Sequence, residues 1–324
     1  MRTRTLGKTT LQVPVITLGG NVFGWTLNES DSLRLLDAAL DAGLNFIDTA
    51  DLYSRWVPGH GGGESETILG TWFQSRGNRG RVILATKVGM DLGGGKVGLS
   101  AGYIERAVED SLRRLQTDYI DLYQSHQDDA ATPIEETLRA YERLIEQGKV
   151  RHIGASNYNG ARLREAMETA ERSHLPAYQS LQPHYNLVER EPYESDLAPV
   201  AADYGLGVLP YFSLASGFLT GKYRTGDDTK GKARGGSVSK YLNRRGMGVL
   251  AALDEVSRKL NSNPARVALA WLIARPGITS AIASATRTEH LADLTGAADL
   301  ILDAESIEKL NRASAPEAAS AGQT

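Results

Sequence analysis

Four side chains of this 324-residue sequence, Asp48, Tyr53, Lys87 and His126, have the chemical types that proton transfer to an oxygen atom requires. A tyrosine is a weak acid at neutral pH because its reference pKa is about 10, but a neighbouring ammonium group favours the phenolate and lowers that pKa. An aspartate bonded to the ammonium group would fix its position. A histidine beside the phenol would orient and polarise a carbonyl oxygen. Together the four suit protonation of an oxygen while hydride arrives at the attached carbon.

Each of these residues, taken alone, also has an ordinary structural explanation. A lysine at the end of a strand is usually solvated, and a lone histidine is more often structural than catalytic. The joint pattern indicates a site, because Asp, Tyr, Lys and His on successive strand ends of one barrel would face the same opening. Asp51 is interpreted differently, as a turn residue or at most a contact to a cofactor ribose. No metal is expected, since one histidine and scattered carboxylates give no ligand spacing.

An alternation of short apolar runs and amphipathic stretches supplies the elements that would position these side chains. Residues 30–43, 103–115 and 134–149 have helical periodicity, with a serine or aspartate expected as the N-cap of the first helix and Ser100 as that of the second. Strands that alternate with helices of this length pair in parallel, and eight such units predict an α/β fold, a closed (β/α)₈ barrel. The candidate strands are 15–19, 45–48, 82–87, 119–124, 150–156, 178–182, 207–211 and 279–283.

The remaining segments fit a single barrel domain over residues 1–324. The first thirteen residues, with a turn at LGKT (6–9), predict a β-hairpin that caps the bottom of the barrel. The glycine- and lysine-rich segment 224–245 has no apolar periodicity and predicts a mobile surface loop. The tail 313–324 has few apolar residues and is expected to be frayed.

Composition excludes several classes of function. The 36 basic and 39 acidic residues give a net charge of −3, which argues against a nucleic-acid partner. The absence of cysteine excludes disulfides, thiol catalysis and cysteine-ligated zinc. No secretory signal and no run of 18 apolar residues occurs, so we expect a cytoplasmic protein with no membrane segment and a small-molecule substrate. The oligomeric state is not indicated by the sequence.

Six long motifs follow one another along the chain. They are FIDTADLYS (46–54), GESETILG (63–70), SLRRLQTDYIDLYQSH (111–126), GKVRHIGASNY (148–158), QPHYNLVER (182–190) and GVLPYFSLASGFLTGKY (207–223). In this order they resemble the motifs of the aldo-keto reductases, and the resemblance covers the chain from about Thr5 to Leu302. It implies a (β/α)₈ barrel that binds NADPH in extended form, without a Rossmann domain, and reversibly reduces an aldehyde or ketone to an alcohol.

The resemblance also implies roles for the catalytic residues and for those at the nicotinamide end of the cofactor. Tyr53 would be the proton donor, Lys87 and Asp48 would tune it, and His126 would orient the substrate. The residues implied to hold the nicotinamide are Ser156, Asn157 and Gln182, at its carboxamide, and Tyr211, stacked on its ring.

For the phosphate end of the cofactor, the resemblance implies contacts from two segments. Arg287, with Ser284 and Thr286, would meet the adenosine 2′-phosphate, because a guanidinium fork matches phosphate oxygens. His290 and Leu294 depart from the family pattern, and Leu294 cannot bond to adenine, so the preference for NADPH over a weaker NADH rests mostly on Arg287. The pyrophosphate would meet Ser213, Leu214, Ser216, Gly217 and Lys222.

The sequence does not identify the substrate, but it does indicate which residues could form the wall of the substrate site. Trp25, Trp56 and Met90, together with Tyr53, are expected to form an apolar wall suited to many carbonyl compounds. Ser125 stands where the family commonly has a bulkier apolar residue, which would leave the substrate site roomier or more polar.

Two alternatives to this interpretation are less favoured by the sequence. Residues 93–98 fit G-x-G-x-x-G, but no helix follows at once, so a flexible glycine loop at the barrel mouth is favoured over a dinucleotide fingerprint. Barrels resembling these reductases also serve as regulatory subunits of potassium channels, binding cofactor with little turnover. Those proteins have long N-terminal extensions, whereas this chain begins almost directly at its first hairpin, which favours the enzyme.

Overall fold

The computed structural model describes residues 1–316, and its centre is a sheet of eight parallel strands. The first seven strands of this sheet pair with one another in chain order, and the eighth pairs with the first. A parallel bridge between Val208 and Ile278, and a 2.9 Å bond from the Thr279 N–H group to the Val208 carbonyl, link the two ends of the sheet. The predicted (β/α)₈ barrel is confirmed. The strands are β1 (Thr3–Thr5), β2 (Gln12–Pro14), β3 (Ile16–Gly19), β4 (Phe46–Asp48), β5 (Ile83–Val88), β6 (Ile120–Ser125), β7 (Val150–Ser156), β8 (Ser180–Gln182), β9 (Gly207–Val208) and β10 (Ala281–Ala283).

Helices surround the barrel. Shorter helical turns, mostly 3₁₀, occur at 20–22, 79–81, 193–197, 215–220, 227–229 and 239–241. The α-helices are α1 (Glu29–Asp41), α2 (Glu64–Arg76), α3 (Ala101–Leu115), α4 (Ile134–Glu146), α5 (Gly160–Arg172), α6 (Ala198–Tyr204), α7 (Gly235–Val238), α8 (Arg244–Lys259), α9 (Pro264–Ala274), α10 (Thr288–Asp299) and α11 (Ala304–Ala313).

The observed first residues of α1 and α3 can be compared with the predicted N-caps. Helix α1 begins at Glu29, and its N-cap is Asn28, whose side chain accepts a bond from the Asp31 N–H group. The predicted serine or aspartate cap was therefore wrong, because Asn28, two positions before Ser30, already satisfies a free N–H group of the first turn. Ser100 does occupy the N-cap position of α3, but its side chain makes no capping bond.

The N-terminal hairpin of β1 and β2 closes the bottom of the barrel as predicted. Leu6 and Val13, both fully buried, belong to the same apolar cluster as Phe46 and Leu122 of the barrel strands. Burying one such side chain contributes about 1.5–3 kcal/mol. Gly7 makes the close approach possible, because a Cβ atom there would stand 2.2 Å from the Gln179 carbonyl oxygen. The hairpin therefore leaves only the opposite end of the barrel open.

Two segments are more ordered than the sequence suggests. Segment 224–245 contains α7 and short turns, and Val238 within it is fully buried. Ala313 ends α11, and Ser314 is buried and accepts a 2.9 Å bond from Arg190. Burial and hydrogen bonding hold these residues, which composition does not reveal. The rest of the predicted frayed tail, from residue 317, lies outside the described residues. No helix within residues 1–316 is long and apolar enough to cross a bilayer.

Candidate active site

A buried ion pair at the open end of the barrel holds the tyrosine proposed from the sequence. Asp48 ends β4 and Lys87 lies in β5, so parallel pairing brings the two strand ends together. The Nζ atom of Lys87 donates to Asp48 Oδ2 at 2.7 Å, to the Thr49 carbonyl oxygen at 2.7 Å and to the Tyr53 hydroxyl oxygen at 2.9 Å. Lys87 is fully buried and Asp48 nearly so. The lysine, aspartate and tyrosine of the predicted site therefore form one connected group.

The pKa of Tyr53 is raised above its usual value, which corrects the expected lowering. Burial of the hydroxyl group is the largest cause, and the charge of Asp48 acts in the same direction, while the ammonium group of Lys87 lowers the pKa against them. Burial would lower the pKa of Lys87, but Asp48 and Tyr53 outweigh it and raise that pKa. Tyr53 is thus a protonated acid beside a permanently charged lysine at neutral pH.

His126 follows β6 and lies beside this group. Its ring centre is 6.1 Å from that of Tyr53, and the side chain is 6% exposed. Burial, and secondarily the charge of Lys87, hold the pKa of His126 well below its usual value. Its Nδ1 atom has no hydrogen-bond partner within residues 1–316. A neutral imidazole here suits orientation of a polar substrate oxygen, because the ring can donate a hydrogen bond to that oxygen without carrying a charge.

Two glutamines complete the surroundings of Asp48. Gln182, at the end of β8, donates through Nε2 to Asp48 Oδ1 at 2.8 Å, and Gln124 of β6 donates to the same oxygen at 3.3 Å. The side-chain amide nitrogen of Gln182 is therefore engaged inside the protein, which leaves its side-chain Oε1 atom for a ligand. Gln124 was not predicted as a site residue from the sequence. Its place at a strand end, two residues before His126, could have indicated that it belongs to the site.

Four predicted cofactor residues are bonded to one another in a chain, in which Asn157 Nδ2 donates to Ser156 Oγ at 3.2 Å. The Tyr211 hydroxyl group donates to Asn157 Oδ1 at 2.8 Å, and Asn157 Nδ2 donates to the His126 carbonyl oxygen at 2.8 Å. Ser156 Oγ donates to the Gln182 carbonyl oxygen at 2.8 Å. One face of the Tyr211 ring is covered by the ring of His184, stacked with 5.2 Å between centroids.

A cavity of about 670 Å³ connects these residues to the second predicted cofactor segment. Lys87 does not line it, because the lysine lies behind Tyr53. The predicted residues that do line it are Asp48, Tyr53, Trp56, Met90, His126, Ser156, Asn157, Gln182, Tyr211, Ser213, Leu214, Ser216, Gly217, Lys222, Ser284, Thr286, Arg287 and His290.

Trp25 is the exception among the predicted substrate residues. It does not line the cavity but a separate cleft, and it meets Trp56 edge to face with 5.5 Å between ring centroids. The sequence could not separate the two tryptophans, because only the fold decides which faces the cavity. Trp25 therefore supports the wall formed by Trp56 rather than forming it.

The expectation for Ser125 was wrong, whereas that for Asp51 is narrowed to one of its two alternatives. Ser125 is fully buried and bonds the hydroxyl groups of Tyr141 and Tyr178 at 2.8 and 2.9 Å, so it faces the helices and does not enlarge the substrate site. Asp51 lies in the turn after β4, is 1% exposed and does not line the cavity, so of its two expected roles the turn residue remains. Alternate residues of a strand face opposite sides, so a side chain beside a catalytic residue is often directed away from the site.

Cationic side chains gather at the other end of the cavity. Lys222, Arg234 and Arg287 all line it, and no acidic side chain of residues 1–316 forms an ion pair with them. Burial, and then the charges of Arg234 and Arg287, lower the pKa of Lys222. Arg234 was missed in the sequence, where KGKARGG reads as a solvated loop. Its guanidinium carbon lies 5.2 Å from the ring centre of Trp25.

The residues after β10 line the end of the cavity at which the sequence predicts the adenosine contacts. Ser284 donates to Asn21 Oδ1 at 2.7 Å, and the Thr286 N–H group donates to His290 Nδ1 at 3.3 Å. Leu294 also lines the cavity, together with the polar side chains of Asn263 and Asp293. The polar contact that Leu294 lacks can thus come from its neighbours. Residues 1–316 hold no group of three potential metal ligands.

Comparison with known proteins gives a consistent result over nearly the whole chain. Residues 15–315 match the family model described as the aldo/keto reductase family. YrpG of Bacillus subtilis (strain 168), an oxidoreductase described as uncharacterized, is 37% identical over 314 residues, 94% of each chain. The aldo-keto reductase YhdN of the same organism is 37% identical over 288 residues, 86% of this chain and 82% of the relative. A probable voltage-gated potassium channel subunit beta of Oryza sativa subsp. japonica is 33% identical over 325 residues, 96% of this chain and 95% of the relative.

Proposed function

The chain belongs to the aldo/keto reductase family, and on that premise we propose that it is an NADPH-dependent reductase of aldehydes or ketones. The observation that carries the proposal is the 2.9 Å bond between Lys87 Nζ and the Tyr53 hydroxyl group at the wall of a large cavity. A protonated phenol beside a fixed ammonium group is suited to give a proton to a carbonyl oxygen and to stabilise the phenolate that results.

The residues that line the cavity fit a phosphate-bearing dinucleotide. Lys222, Arg234 and Arg287 are charged, line one end of the cavity and have no acidic partner within residues 1–316, which suits binding of an anion. Lys222 and Arg234 would meet the pyrophosphate and Arg287 the 2′-phosphate of NADPH. When bound, the reduced nicotinamide supplies hydride to the carbonyl carbon. The residues proposed to hold its carboxamide and ring are Ser156, Asn157, Gln182 and Tyr211.

The proton that the reduction adds to the substrate oxygen would come from a side chain of this protein. The substrate oxygen would lie within reach of Tyr53 and His126, where the neutral imidazole orients it. The O–H bond of Tyr53 breaks, and a new O–H bond forms on the alcohol product. Lys87 keeps its charge because its pKa is raised, so the phenolate forms next to an ammonium group. Asp48 holds that ammonium group in place throughout.

A substrate panel tests the proposal. Purified protein is mixed with NADPH or NADH and a series of aliphatic, aromatic and sugar aldehydes and ketones, and both cofactor oxidation and alcohol formation are measured. We expect equal amounts of the two products and a preference for NADPH. Tight binding of NADPH without oxidation by any carbonyl compound would contradict the proposal.

A second candidate is a cofactor-binding regulatory subunit with little turnover. The observation that favours it is the 33% identity to a probable voltage-gated potassium channel subunit beta along nearly the full length of both chains. Both candidates require the cavity, and only the reductase requires turnover. The panel therefore separates them, since slow oxidation of bound cofactor without catalytic cycling would favour the subunit.

A further inference from the structure

The first turn of α2, residues 63–66, lies behind the segments that carry the acid, the lysine and the aspartate of the candidate site. It belongs to the motif GESETILG, to which the proposed mechanism gives no role. None of the cavity-lining residues in the described part of the chain comes from 65–70. Ser65 and Glu66 are nevertheless fully buried, and both are polar. Buried polar groups need partners, and the partners found here lead to the site.

The backbone on both sides of the Tyr53 ring is held by this turn. The N–H groups of Gly63 and Ser65 donate to the Tyr53 carbonyl oxygen at 2.9 and 3.4 Å. The next peptide N–H group, that of Ser54, donates to Glu64 Oε2 at 3.2 Å. The first N–H groups of a helix have no partner inside it, so here they are free to hold the loop.

The hydroxyl group of Ser65 is linked to Lys87 through one intervening residue, Thr49. It donates to the Gly20 carbonyl oxygen at 2.8 Å and accepts from Thr49 Oγ1 at 2.8 Å. The carbonyl oxygen of Thr49 in turn accepts the 2.7 Å bond from Lys87 Nζ. Ser65 therefore fixes the backbone that receives one of the three bonds of the ammonium group.

The carboxylate of Glu66 holds the strand that carries the lysine. Its Oε1 atom accepts from Thr86 Oγ1 at 2.6 Å, and Thr86 precedes Lys87 in β5. Its Oε2 atom accepts from Arg114 Nε of α3 at 2.7 Å, which neutralises a fully buried charge. Gly63 gives Arg114 room, since a Cβ atom there would stand 2.4 Å from Arg114 Nε.

We propose that Ser65 and Glu66 are positioning residues, which keep the Tyr53 hydroxyl group and the Lys87 ammonium group at bonding distance for proton transfer. The proposal rests on the proposed function. Neither residue touches the cavity, so neither contacts substrate or cofactor directly. A small displacement of an acid is costly, because a shift of about 1 Å can reduce a rate by about 10²-fold.

The experiment compares Ser65→Ala and Glu66→Gln with a matched control, Thr67→Ala. Thr67 directly follows this turn and its hydroxyl group bonds the Gly63 carbonyl oxygen, but within residues 1–316 that group forms no hydrogen bond with the segments that carry the site. We expect kcat to fall between about 10-fold and 10²-fold in Ser65→Ala. The Kd of NADPH, from cofactor fluorescence, should stay within about twofold. Thr67→Ala should behave as wild type, and wild-type kcat in both Ser65→Ala and Glu66→Gln overturns the proposal.

A second measurement separates positioning from general damage. Ser65→Ala is combined with Tyr53→Phe, and the residual rates are compared. If Ser65 acts through the tyrosine, Ser65→Ala has no further effect once the hydroxyl group is absent. A loss of the same size in both backgrounds overturns the proposal, since it would mean that Ser65 supports the barrel as a whole.

A third readout needs no turnover and so stands even if the proposed reaction is wrong. NMR of isotope-labelled tyrosine, assigned with Tyr53→Phe, gives the pKa of Tyr53 in each variant. Lys87 lowers this pKa against burial, so a loosened contact should raise it in Ser65→Ala but not in Thr67→Ala. An unchanged or lowered pKa overturns the positioning role. Absent carbonyl reduction together with a raised pKa contradicts the proposed function alone.

Discussion

The Nζ atom of Lys87 donates to the hydroxyl oxygen of Tyr53 at 2.9 Å, although the two residues come from different strand ends. Its other bonds go to Asp48 and to the Thr49 carbonyl oxygen, so all three donors of the ammonium group are used. An ammonium group with no free donor has one orientation. The acid of the candidate site is therefore held ready before any ligand binds.

Tyr53→Phe should abolish the proton donor and leave the cavity intact. We expect kcat for carbonyl reduction to fall by about 10² or more, because a positioned acid contributes about 10²–10⁴-fold. The Kd of NADPH should change little. The control is Tyr123→Phe, which removes a buried hydroxyl group that has no partner within residues 1–316. Near-normal turnover in Tyr53→Phe would rule out the assigned acid.

Arg287→Ala should discriminate between the two nicotinamide cofactors. The guanidinium group lines the cavity and bonds only His290 among the described side chains, so it is available to a 2′-phosphate. Loss of charge-assisted bonds worth about 1.5–3 kcal/mol should weaken NADPH binding by about 10- to 150-fold. NADH binding should be almost unchanged. Arg312→Ala, on the exposed end of α11, serves as the control, and equal losses for both cofactors would place the phosphate elsewhere.

His126 should make the fold less stable in mild acid. Its pKa is well below the ordinary 6.5, so below pH 6.5 the unfolded chain binds a proton that the folded protein does not. The unfolding free energy is thus highest above pH 6.5 and falls as the pH drops, by at most about 1.4 kcal/mol per pH unit for this group. Denaturant unfolding of wild type and His126→Gln at several pH values measures the effect. We expect a shallower decline in the variant; parallel curves would contradict it.

Asp51→Asn should stabilise the protein at neutral pH. Burial, and then the charge of Glu66, raise the pKa of Asp51 well above its ordinary 3.8, and neither carboxyl oxygen has a hydrogen-bond partner within residues 1–316. Above pH 3.8 the unfolded chain releases this proton while the folded protein keeps it, so stability falls as the pH rises. An amide has no proton to release, and the gain from Asp51→Asn should therefore grow from pH 4 to pH 7. The exposed Asp41→Asn is the control; a gain independent of pH would refute this explanation.

The order of elements and the residues of the candidate site follow from the sequence. Hydrophobic periodicity and the residues typical of helix ends indicate alternating strands and helices. Parallel strands in a barrel end at the same face. Asp48, Tyr53, Lys87 and His126 could therefore be grouped without coordinates. All of the predicted cofactor residues line the cavity for the same reason, since they too follow strand ends.

The tertiary structure decided which neighbouring side chains take part and how the groups titrate. Trp56 lines the cavity while Trp25 does not, and Ser125 and Asp51 are directed away from it, because side-chain direction depends on packing. Arg234 reaches the cavity from a segment without periodicity. The raised pKa of Tyr53 is likewise a result of burial, which exists only once the barrel has assembled. Residue types and spacing thus determined the chemistry available, whereas burial and side-chain direction decided which groups can perform it.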